Sequence, residues 1–92
     1  MDWKLKPTKA GLSYAEDYTG PNATLESDII RLLTDEPLYF DSDPYAEDTS
    51  GDVVVARAIQ EIARGYPRFS NTRSVARAIR GLWNMRSITL GG

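Results

Sequence analysis

The chain has 92 residues, 41% of them hydrophobic and 26% charged, with a formal net charge of −2, a composition that fits one small globular domain over residues 1–92 and excludes two independent cores. It contains neither cysteine nor histidine, which excludes disulfides, thiol nucleophiles, zinc sites of the usual ligand types and the commonest general base. A chain this short buries only about 60–65% of the surface it exposes when unfolded, so a homo-oligomer is an open option.

The alternation Trp3-Lys4-Leu5-Lys6 predicts a short strand stopped by Pro7. Gly11 and Gly20-Pro21 then punctuate the chain, and residues 1–21 read as that strand followed by an extended arm. A helical body over 22–92 is expected next. Asn22 is positioned to cap a first helix whose apolar residues Leu25, Ile29, Leu32 and Leu33 share a face, with Glu26 and Asp28 near its positive end. Pro37 ends it. The short apolar piece Leu38-Tyr39-Phe40 leads into the acidic loop 41–52, DSDPYAEDTSGD, whose turn formers oppose regular structure.

Thr49, Ser50 or Asp52 can cap a second helix bearing Val55, Ala58, Ile59 and Ile62 on one face, and Gly65 with Pro67 beyond it is a stop signal. Ser70 or Asn71 caps a third, with Val75, Ala78, Ile79 and Leu82 on its apolar face, Ala76 and Trp83 at the border, and Gly81 weakening its interior by about 1 kcal/mol relative to alanine. Ile88 and Leu90 alternate as in a strand. The fold class that follows is mainly α: a small single domain of three amphipathic helices, with short β-strands at the N- and C-termini pairing beside them. The later two helices share VARAI, at 55–59 and 75–79, which two equivalent core faces explain better than a repeat array. The longest apolar run is VVVA and the N-terminus lacks an apolar signal core, so no membrane association and a cytoplasmic location are expected.

Charge is segregated. Residues 16–52 hold eleven acids against Arg31 alone, whereas from Val53 onward seven arginines oppose only Glu61. The two halves can neutralise each other within one fold or across a self-association interface, or each can face a separate partner.

Two constellations emerge. On the third helix, Arg73, Arg77 and Arg80 project within a narrow arc opposite the apolar face. Arginine suits phosphate because its planar fork donates paired hydrogen bonds, and a helix carrying several can lie along a nucleic-acid backbone. Helix, short strand, helix, helix, short strand is also the order of a winged helix. However, the second wing strand is missing, and the link from Arg64 to Ser70 exceeds the short turn of a helix-turn-helix. In the acidic loop, Tyr39, Phe40 and Tyr45 interleave with Asp41, Asp43, Glu47 and Asp48, a pattern that suits a basic protein surface. The loop matches a calcium-binding EF-hand poorly, since Tyr45 and Ala46 occupy a ligand position and the glycine position.

Trp3, Tyr14, Tyr18, Tyr66, Phe69 and Trp83 are expected in the core or at its rim. No cofactor, metal or catalytic residue is implied. The expected function is therefore non-enzymatic protein–protein interaction, as an accessory, inhibitor or assembly subunit of the compact kind seen among phage proteins, a comparison resting on size and composition. The alternative is a nucleic-acid-binding helical module contacting phosphates through Arg73, Arg77 and Arg80.

Overall fold

Alternation at the N-terminus does produce a strand. In the computed structural model, which describes residues 3–44 and 50–91, β1 (Trp3–Pro7) buries Leu5 completely and stands at the centre of a three-stranded antiparallel sheet. The described elements run β1, α1 (Lys9–Asp17), α2 (Leu25–Asp35), β2 (Leu38–Phe40), α3 (Asp52–Gly65), α4 (Thr72–Asn84) and β3 (Ile88–Gly91). Strand order is β2-β1-β3. Trp3 pairs with Phe40 and Leu5 with Leu38 on one side; Leu5 pairs with Leu90 and Pro7 with Ile88 on the other. The protein is a mainly helical single domain, as expected, and the strands at its two ends do pair.

Helix α1 corrects the expectation of an extended arm. Thr8 caps it, its Oγ1 accepting from the Gly11 N–H at 3.1 Å, while the same hydroxyl donates to the Arg86 carbonyl at 2.7 Å and the Thr8 N–H donates to the Ser87 carbonyl at 2.9 Å. A nine-residue helix is marginal alone in water and here depends on docking: Gly11 and Ala15 are buried. There are thus four α-helices among the described residues rather than three.

The cap of α2 also differs from expectation. Asn22 lies in a 3-10 turn (Gly20–Asn22), and Thr24 forms a capping box with Ser27 instead. Thr24 Oγ1 accepts from the Ser27 N–H and Ser27 Oγ from the Thr24 N–H, satisfying two donors that a helix start leaves open. Arg31 then joins α2 to the C-terminal end of α1, donating to the carbonyls of Ala15 (3.1 Å) and Tyr18 (3.2 Å), to Ser27 Oγ (3.0 Å) and to Asp28 Oδ1 (2.9 Å). A cation there also complements the helix dipole.

Gly51, rather than a side-chain cap, precedes α3, with φ +86°; a Cβ at this position would lie 2.6 Å from the Trp83 ring. Ser50 Oγ accepts from the Asp52 N–H at 3.2 Å. The α3–α4 link contains a 3-10 turn (Pro67–Phe69) whose Phe69 is buried. Asn71 caps α4 as expected, accepting from the Ser74 N–H at 3.1 Å. All four anticipated α4 core residues, Val75, Ala78, Ile79 and Leu82, are buried. They meet Ile29, Ile30, Leu33, Val54, Val55, Ala58 and Ile62 from α2 and α3 in one core. Ile30 and Val54 join it unannounced, while Leu25, Leu32 and Ile59 are only partly buried. Of the aromatic residues, Trp3, Tyr14, Tyr66 and Trp83 lie at the core rim, and Tyr18 stacks on Tyr14 with ring centroids 4.6 Å apart. No helix among the described residues is long and apolar enough to cross a membrane.

Candidate functional site

The fold presents α4 with its back to the core. Because Val75, Ala78, Ile79 and Leu82 fill one side, the helical period turns Arg73, Arg77, Arg80 and Asn84 outward, and all four are exposed. The flanks of the helix are occupied. Trp83 packs toward Gly51 at the start of α3, and on the opposite flank a small cavity between Tyr14, Glu26, Arg77, Gly81 and Met85 separates α4 from α1 and α2.

The three arginines are not equivalent. Arg80 Nη1 lies 2.9 Å from Asp52 Oδ1, so the first residue of α3 holds it by an exposed ion pair. Arg73 and Arg77 have no ion pair among the described residues. They form an open two-arginine site, with Arg80 tethered beside it.

The acidic stretch is arranged differently from its sequence pattern. Within β2, Phe40 turns inward and is 8% exposed, with the Arg57 guanidinium 5.0 Å from its ring centre, while Tyr39 turns outward and is 56% exposed. Strand alternation therefore separates two aromatics that the sequence groups together. Asp41 is exposed and Asp43 half-buried. Tyr45, Glu47 and Asp48 lie outside the described residues, as do residues 45–49 of the span 41–52 compared with an EF-hand.

Sequence reasoning missed the outer face of the sheet. Lys4 stands directly across from Tyr39, and Lys6 from Thr89. The lysines alternate with inward Trp3, Leu5 and Pro7, which was legible, but their juxtaposition with Tyr39 depends on a pairing between distant strands.

One carboxylate is electrostatically distinct. Desolvation pushes the Asp28 pKa upward, but hydrogen bonds from Arg31 and Arg68 outweigh it and hold the group below its ordinary value. With Arg31 at 2.9 Å and Arg68 at 2.7 Å, Asp28 links α2 to the turn before α4. It serves the frame on which α4 is mounted.

No protein-family model matches this sequence, and neither curated proteins nor solved structures show a significant likeness to it.

Proposed function

We propose that this protein binds nucleic acid, laying the outer face of α4 against the phosphate backbone of a duplex. The observation that carries this reading is the pair Arg73 and Arg77, exposed, one turn apart and without ion-pair partners among the described residues, on a helix whose opposite face is buried. A guanidinium keeps its charge at any working pH and can meet phosphate with two parallel hydrogen bonds. The topology lends support by analogy. The helix-strand-helix-helix-strand order lacks a strand after β3, and β1 supplies the third strand of the sheet from the other end of the chain.

Binding to a labelled duplex, followed by fluorescence anisotropy across a salt series, tests the reading. With Arg80 held by Asp52, Arg73 and Arg77 neutralising about two phosphates give a log–log salt slope near −2. An Arg73→Ala/Arg77→Ala variant should unfold as the wild type does, within about 0.5 kcal/mol per surface substitution, and lose most of the affinity and about two units of slope. Absence of duplex binding by the wild type at low salt defeats the proposal. The expectation of a protein partner at residues 39–48 is a second proposal, and its exposed described members are Tyr39 and Asp41. A partner with a basic surface would be weakened by Asp41→Asn, which leaves α4 untouched.

A further inference from the structure

The sheet has two unlike faces. Trp3, Leu5 and Pro7 of β1 point inward with their cross-strand partners Phe40, Leu38, Leu90 and Ile88. Lys4, Lys6, Tyr39 and Thr89 occupy the alternate positions and share the outer face. Lys6 confirms the geometry: its Cε lies 2.7 Å from where a Cβ on Gly91 would stand, so the lysine stem crosses β3 at the residue opposite Lys4. In the turn just before β3, exposed Arg86 lines a cavity with Thr8, Trp83, Ile88 and Thr89. Arg86 has no ion pair among the described residues. An aromatic ring on one edge strand is thus followed by Lys4 on the central strand, by Lys6, whose stem reaches over the other edge strand, and by a guanidinium in the turn that leads into that strand. The two edge strands are about 10 Å apart.

We propose that this face binds single-stranded nucleic acid, with a base stacked on Tyr39 and neighbouring phosphates met by Lys4, Lys6 and Arg86. Tyr39 offers an open ring at 56% exposure, and ring stacking accepts any base because every base has a π-face. The charges on this track are positive. The acid next to it, Asp41, follows Phe40 at the Trp3 end of the sheet, and its repulsion directs the phosphates from Tyr39 toward Lys6 and Arg86. Nothing in this assignment uses Arg73 or Arg77, so it stands apart from the duplex reading of α4.

The test is anisotropy of a short labelled oligothymidylate with the full chain at low salt, repeated over a salt series. The expected slope is near −2, from about 0.7 per phosphate for three cations. Tyr39→Ala should weaken binding about tenfold, Tyr39→Phe should retain it because the ring remains, and Arg73→Ala/Arg77→Ala should leave it unchanged. Lys4→Ala/Lys6→Ala should lower the slope by about 1.4. Equal binding by wild type and Tyr39→Ala would overturn the assignment by showing a polyanion attracted through charge alone. Loss of single-strand binding in the Arg73→Ala/Arg77→Ala variant would overturn it too, by moving the site to α4, and would leave the duplex reading standing.

Discussion

Gly11 of α1 lies so close to Ser87 that a Cβ on Gly11 would sit 2.0 Å from the Ser87 carbonyl oxygen. That oxygen accepts from the Thr8 N–H, and the Thr8 hydroxyl donates to the neighbouring Arg86 carbonyl. The contact closes the sheet, because it fixes the end of β1 against the start of β3 and sets the exit of α4, where Arg86 has φ +60°. Backbone cannot yield as a flexible side chain can. Gly11→Ala should therefore destabilise the protein by about 1–3 kcal/mol, the usual cost of forced overpacking, despite alanine's better helix propensity. Urea unfolding of the two proteins checks this.

Gly81 predicts the opposite sign. It lies inside α4, and a Cβ there would meet nothing within 4 Å. Gly81→Ala should stabilise by about 0.4–1 kcal/mol, chiefly by restricting the unfolded chain. A melting temperature that rises for Gly81→Ala and falls for Gly11→Ala separates packing from propensity.

Asp28 gives the fold an acid-sensitive joint. Its folded pKa is lowered, so its contribution to stability is fully present above the unfolded value of about 3.9 and is lost as pH falls through the folded value. Asp28→Asn should thus unfold more readily than wild type at neutral pH. The exposed Arg68 limits that partner's contribution to about 1 kcal/mol or less. The difference between the two proteins should shrink as pH is lowered below the ordinary carboxylate range. Urea midpoints measured from pH 7 downward test it, and a gap independent of pH would show that the ion pairs contribute nothing.

Asp52 restrains Arg80 within the proposed duplex interface. Asp52→Asn removes the ion pair at 2.9 Å and releases Arg80 to phosphate, so the salt slope of duplex binding should steepen by up to about one unit and affinity at low salt should rise. Asp35→Asn makes the same change in net charge at the exposed end of α2. It should leave the slope nearly unchanged. Equal effects from the two substitutions would show that overall charge, and not the Asp52–Arg80 pair, sets the response.

Local signals in the sequence sufficed for α4, where Val75, Ala78, Ile79 and Leu82 repeat at helical spacing, Asn71 supplies a cap, and the arginines fall opposite by periodicity alone. The same holds for the ends of α2 and α3 near Pro37 and at Gly65, and for the alternating residues of β1 and β3, because each is a property of neighbours along the chain. Tertiary structure decided the rest. Helix α1 has too few apolar residues, and a glycine in its first turn, to declare itself, and it stands because Gly11 can approach Ser87 and Arg31 holds its last carbonyls. Gly51 precedes α3 in place of a polar cap because the Trp83 ring leaves no room for a side chain. The separation of Tyr39 from Phe40 and its placement opposite Lys4 depend on register with a strand far away in sequence. Pairing Asp52 with Arg80 requires α3 and α4 to pack first. Periodicity shows which face of an element is apolar, but which distant side chains share the polar face is set by the contacts that close the core.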